Sequence, residues 1–160
     1  MPNIVSRLPP KVVELAELVN ASLKDVIREY SGNQVLPSNR LSLGGWCGVG
    51  TYVYNYLAKE EGITTSMWAG EYKGNPHCWN IITIDNNSYI VDVTASQFKL
   101  PDVNITVAYA PGCGYNAEEC IKKLSDFDTW WDHEQPKPFL RRAVFSAVRK
   151  RQRRDVFKAE

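Results

Sequence analysis

Apolar residues recur every three to four positions through Val12, Leu15, Val19, Leu23, Val26, Ile27 and Tyr30, with Glu14, Glu17, Lys24 and Arg28 mostly on other faces. That period predicts an amphipathic helix of about 20 residues. Pro9-Pro10 opens it, and Asn20-Ala21-Ser22 is a candidate break. Residues 31–45 (SGNQVLPSNRLSLGG) carry turn chemistry in Gly32-Asn33, Pro37-Ser38-Asn39 and Gly44-Gly45. A second helix is expected from Trp46-Cys47, with Val49, Tyr52, Val53, Tyr56 and Leu57 as its stripe and Gly62 as its stop.

Beyond Gly62 the period shortens. Residues 63–72 (ITTSMWAGEY) read as extended and Lys73-Gly74-Asn75-Pro76 as a turn. His77–Ile84 reads as a strand, Asp85-Asn86-Asn87 as a hairpin turn and Ser88–Val93 as the returning strand. Residues 103–109 (VNITVAY) read as a further strand. Asn116 followed by Glu119 is close to a capping box and predicts a helix to about Leu124. Asp126–Gln135, with Trp130-Trp131, is expected to be irregular. Pro138 can open a last helix with Leu140, Val144, Ala147 and Val148 on one face. There is no internal repeat or low-complexity segment. Helices first, then antiparallel strands, then short helices define an α+β domain.

Composition fits that reading. The 160 residues are 44% hydrophobic and 23% charged, which suits one globular domain and excludes a disordered chain. No apolar run approaches the roughly 18–20 residues of a membrane span. The net charge of +1 hides a division. Residues 137–160 hold nine Lys/Arg against Asp155 and Glu160, a net of +7, while residues 1–136 carry −6. The expected organisation is a single acidic α+β catalytic domain over 1–136 and a basic helix or tail over 137–160. In that tail Arg149, Lys150, Arg151, Arg153 and Arg154 suit an anionic partner: nucleic acid, a CoA phosphate or an acidic protein surface. The plainer reading is a solvated helix face that balances the acidic body, because no motif for reading DNA or RNA accompanies it.

The first residues, MPNIVSRLPP, lack the apolar core of a secretory signal, so a cytoplasmic location with reduced cysteines is expected. Cys47, Cys78, Cys113 and Cys120 form no CxxC pair. Cys78 and Cys120 read as small buried hydrophobes. A mixed site of Cys113, Cys120 and a histidine is the one metal alternative, and no metal is otherwise expected.

The chemistry concentrates in residues 44–98. Cys47 follows Gly44-Gly45-Trp46 at a predicted helix start, where unpaired N–H groups and the helix dipole favour a thiolate. His77 begins one strand and Asp92 ends the next. A histidine there would take and return the thiol proton, and an aspartate would hold its tautomer. Taken singly, each has a structural reading: a buried cysteine, an edge histidine, a strand-ending aspartate. With Asn86-Asn87 as a two-residue loop, His77 lies opposite Ser96 and on the same face as Asp92. The two are then offset by four residues, roughly 13 Å at about 3.3 Å per residue. His133, in Trp130-Trp131-Asp132-His133-Glu134, is the competing base. The Cys47 N–H is one candidate oxyanion donor, and Gln34 or Asn39 would be a second. Trp46, Trp68 and Trp79 are candidate cleft walls, although core packing is the favoured reading of each.

Gly44-Gly45-Trp46-Cys47, the following helix and GITTSMWAGEY resemble the active-site cysteine segment of arylamine N-acetyltransferases. So does His77 followed by Asp92 within IDNNSYIVDV. Those enzymes place a Cys-His-Asp triad on a core shared with transglutaminase-like and papain-like cysteine enzymes. By that resemblance Cys47 is the nucleophile, His77 the base and Asp92 the orienting acid. It covers about a third of the chain. The acetyltransferases are nearly twice as long and continue after the aspartate with a Gly-Phe-Gly type segment. Here His77-x-Trp79-Asn80 and Asp92-x-Thr94 look more like small bacterial transglutaminase-like proteins.

Three functions are therefore expected in order. The first is a cysteine-dependent acyl-transfer enzyme, a peptidase, deamidase or transglutaminase acting on a protein, peptide or amide without a cofactor. The second is an N-acyltransferase of the arylamine N-acetyltransferase type using acetyl-CoA. The third is a non-enzymatic binding protein that uses the basic tail.

Overall fold

The computed structural model describes residues 8–30, 46–95, 104–123, 125–126 and 139–159. Among them are three helices and a five-stranded antiparallel sheet, an α+β arrangement. Gln34, Asn39 and His133 lie outside the described residues, as does most of Asp126–Gln135.

Helix α1 (Pro10–Tyr30) is continuous. Val12, Leu15, Val19, Leu23 and Val26 form its buried stripe. The expected break at Asn20-Ala21-Ser22 does not occur, because both polar side chains find acceptors. Asn20 donates from Nδ2 to the carbonyls of Val93 (2.9 Å) and Asn104 (3.2 Å), and Ser22 bonds back to Leu18 at 2.8 Å. A buried amide with two partners fastens the helix to the sheet rather than interrupting it.

Helix α2 (Cys47–Glu60) ends as expected at Gly62, whose φ of 77° is left-handed. Ile63 N–H donates to Ala58 O and Gly62 N–H to Lys59 O, the paired bonds of a Schellman stop. Along α2, Gly50 is where the helix meets the sheet. A Cβ there would lie 2.7 Å from Val93 Cγ2 and 3.0 Å from Leu23 Cδ1. On an exposed helix Gly→Ala stabilises by about 1 kcal/mol. Here Gly50→Ala should destabilise by about 1–3 kcal/mol through overpacking, read as a lower urea midpoint at unchanged m. A stabilised variant would show that α2 does not seat this closely.

The sheet runs in the order β4-β3-β2-β1-β5 from β1 (Thr64–Tyr72), β2 (Asn75–Ile84), β3 (Asn87–Asp92), β4 (Thr106–Tyr109) and β5 (Tyr115–Ile121). Two tight turns set its register. Lys73 and Gly74 have φ of 50° and 80°, and Asp85 and Asn86 have φ of 50° and 67°, so each pair makes an I′-like hairpin turn. Asn75 and Pro76 thus belong to β2, not to the turn.

In place of the helix expected from Asn116 there is strand β5, which pairs with the edge of β1 from Tyr72↔Tyr115 to Met67↔Ile121. Asn116 and Glu119 mimic a cap, but no apolar helical stripe follows them. Pairing with β1 satisfies a whole row of backbone groups that one local cap bond cannot match. The pairing shifts register between Ala69 and Gly70. At Gly70 a Cβ would fall 2.0 Å from Asn116 O, so the shift depends on glycine.

Ile82, Tyr89, Val91 and Val93 on one sheet face join α1 and α2 in the main core. Helix α3 (Leu140–Ala159) lies against α1 and α2, with Ala143 and Ala147 fully buried. Its cations are sorted by that packing. Lys150 pairs with Asp25 (2.6 Å), Arg151 with Glu60 (2.5 Å) and Arg154 with Glu61 (3.1 Å), while Arg149 stands over the Phe145 ring. No helix among the described residues is long and apolar enough to cross a membrane.

Candidate active site

Cys47 is the first residue of α2, and the helix ladder begins with Gly50 N–H donating to Trp46 O at 2.9 Å. The N–H groups of Cys47, Gly48 and Val49 therefore precede the ladder, with the positive end of the helix dipole around the thiol. Two bonds in series link this first turn to the sheet, one from the sheet to α2 and one within α2. Asn80 on β2 donates to Thr51 O at 3.0 Å, and the Thr51 hydroxyl donates to Cys47 O at 2.7 Å.

His77 and Asp92 meet inside the β2–β3 hairpin. The turn is Asp85-Asn86, one residue earlier than the Asn86-Asn87 loop expected from sequence. Ile84 therefore opposes Asn87, and the last ladder pair is Asn80↔Val91. Moving the loop by one residue keeps His77 and Asp92 on the same face and reduces their offset from four residues to two, about 7 Å of strand. Side chains close that distance. His77 Nε2 lies 2.8 Å from Asp92 Oδ2, with His77 1% and Asp92 0% exposed.

The carboxylate is satisfied on all sides. Its Oδ2 also accepts from the Tyr115 hydroxyl at 2.8 Å, and its Oδ1 accepts from Thr94 N–H (3.0 Å) and the Thr94 hydroxyl (3.3 Å). Sequence reasoning missed Tyr115 because it fell beside the wrongly expected helix. The signal available was the alternation in Tyr115-Asn116-Ala117 after Gly112 and Gly114. Tyr115 stacks on Tyr72 with ring centres 4.3 Å apart and lies 5.1 Å from Trp79. Trp79 is itself buried 6.0 Å from the His77 ring. Trp46 precedes Cys47, but its ring lies 6.3 Å from Phe139, toward the C-terminal helix.

The electrostatics follow from these contacts. Burial alone would push His77 down, but the Asp92 charge and hydrogen bond, with Cys47 adding to them, push it up to about 10. Cys47 is held well below the ordinary thiol range, first by a hydrogen bond from Cys78 and then by the His77 hydrogen bond and charge, against the opposing effect of burial. Cys78 moves the opposite way, pushed up by its bond to Cys47 and by burial. Burial and the Asp92 charge raise Tyr115, so it stays a neutral donor. The arrangement favours a Cys47 thiolate beside a His77 imidazolium. With Nε2 committed to Asp92, Nδ1 is the nitrogen that would exchange a proton with Cys47. Among the described residues, no group of three or more His, Cys, Asp or Glu side chains is placed to hold a metal ion.

No family model, curated protein or solved structure matches this chain.

Proposed function

We propose that the protein is a cysteine-dependent acyl-transfer enzyme with a Cys47-His77-Asp92 triad of papain-like or transglutaminase-like arrangement. Its main support is the buried His77–Asp92 contact of 2.8 Å, with the lowered Cys47 thiol at a helix start beside it. The Cys47 thiolate attacks the carbonyl carbon of a peptide or side-chain amide. A C–S bond forms, and the oxyanion faces the N–H groups of the α2 start. His77 gives its proton to the departing nitrogen, the C–N bond breaks and a thioester remains. Water or an amine then attacks the thioester, His77 takes the proton from that attacker, and Cys47 leaves as thiolate. Water makes the enzyme a peptidase or deamidase, and an amine makes it a transglutaminase.

The test is reaction of the whole protein with iodoacetamide across pH, beside ammonia release from a glutamine peptide. Alkylation of Cys47 should titrate well below 9.0, the ordinary thiol value, and Cys47→Ser should remove both that label and the ammonia. A parallel incubation with acetyl-CoA tests the second expected function. A stable acetyl adduct on Cys47 without amide turnover would replace the amidase reading with acyl transfer from CoA. An ordinary thiol titration and no turnover would leave a binding protein.

A further inference from the structure

Cys78 immediately follows His77 on β2, and alternation along the strand puts its side chain on the other face. That face is the one toward α2, where Asn80 bonds Thr51. Cys78 and Cys47 pack in one small apolar cluster with Met67, Ala69 and Ile121, and Tyr52 covers its edge. Both cysteines are free. Cys78 is opposite Ala69 across β1, a side chain too small to separate it from the helix start. The acyl-transfer steps form and break bonds at Cys47 and leave Cys78 only as the donor that helps to hold the Cys47 thiolate. Two free thiols in contact, one beside an imidazole, are a reactive pair rather than a lone cysteine.

We propose that Cys47 and Cys78 form a hydroperoxide-reactive dithiol, in which Cys47 is oxidised and Cys78 resolves it as a disulfide; this rests on the Cys47 reactivity proposed above. The Cys47 thiolate attacks the outer oxygen of the hydroperoxide. An S–O bond forms, the O–O bond breaks, and the departing alkoxide or hydroxide takes the His77 proton. Cys47 is now a sulfenic acid. Cys78 then attacks that sulfur: an S–S bond forms, the S–O bond breaks, and the leaving hydroxide takes the Cys78 proton as water. Overall, two thiols are oxidised to a disulfide while one hydroperoxide is reduced to an alcohol and water. The order of events has an electrostatic cause. While Cys47 is a thiolate it holds the proton on Cys78, and its conversion to a neutral sulfenic acid removes that hold. The disulfide would block the nucleophile, and thiol reductants would release it.

The experiment treats the full chain with a small excess of hydrogen peroxide and reads intact mass, peptide maps and the fraction of Cys47 that iodoacetamide still labels. The expected product has lost two hydrogen atoms and carries a Cys47–Cys78 link, and dithiothreitol restores nearly all labelling. In Cys78→Ser, Cys47 should instead gain oxygen atoms, and less than about a tenth of the labelling should return, because sulfinic and sulfonic acids resist thiols. Cys78→Ala is the second variant if serine disturbs folding, and the wild-type map stands without either. Oxygen uptake at Cys47 with no link to Cys78, or a link to Cys113 or Cys120, overturns the dithiol. If iodoacetamide labels Cys47 rapidly at low pH but peroxide makes no disulfide, the dithiol alone fails. If neither reagent finds a reactive Cys47, the triad fails with it.

Discussion

Replacing His77 by alanine should reduce amide turnover by about 10²–10⁴-fold, the usual contribution of a positioned acid–base group. Two losses combine. The departing nitrogen has no proton donor, and Cys47 loses the cation that sustains its thiolate. Alkylation of Cys47 at mildly acidic pH should slow as well, but by less, because the hydrogen bond from Cys78 remains. The difference between the two effects is diagnostic: a merely misfolded site would lose both together. Imidazole added to the variant should recover part of the turnover by entering the vacated space. Turnover within threefold of the parent, with an unchanged alkylation profile, would remove His77 from the mechanism.

Replacing Asp92 by alanine should cost about 3–5 kcal/mol of stability, because it strands a buried partner cation and two hydroxyl donors. That approaches the whole stability of a domain with about 5–15 kcal/mol in hand. The pH dependence carries the same information. His77 keeps its proton up to about 10, above its ordinary 6.5, so its contribution is full below 6.5 and disappears as pH rises through about 10. Cys47 gives up its proton well below its ordinary 9.0, so its contribution is full above 9.0 and disappears as pH falls through the lowered value. Between 6.5 and 9.0 the two slopes oppose each other, so stability should change less with pH there than His77 alone would require. It should fall above 9.0, where unfolded thiols ionise while His77 and Cys78 keep their protons. Asp92→Asn should flatten that alkaline shoulder, since His77 loses its main stabilising charge. Urea midpoints across pH measure all of this, and a parent profile without the shoulder would contradict the ion pair.

The parts of this molecule legible in sequence were those set by near neighbours. Gly44-Gly45-Trp46 before an apolar period located the start of α2, and Gly62 located its end. The fifteen-residue spacing of His77 and Asp92 across a turn-rich centre located them on adjacent strands. What sequence obscured was set by distant partners. Asn20 looked like a helix breaker because its acceptors, Val93 and Asn104, are far along the chain. Asn116 and Glu119 looked like a cap because the edge of β1 that recruits them is invisible locally. Thr94 was visible in the Asp-x-Thr ending, yet its bonds to Asp92 Oδ1 depend on how the chain leaves β3.

The His77–Asp92 contact lies within one hairpin of two strands and a two-residue turn, with the Thr94 brace just past its end. Asp85 and Asn86 stand eight and nine residues from His77, roughly 25–30 Å along an extended strand. These two exposed residues nonetheless measure out the site. Both hold positive φ, and inserting or deleting one residue there would slide β3 along β2 and turn Asp92 to the opposite side, unless a bulge absorbed the change. The outermost loop of the hairpin is thus its calliper. Variation in length should be tolerated least at a place that touches no reacting atom.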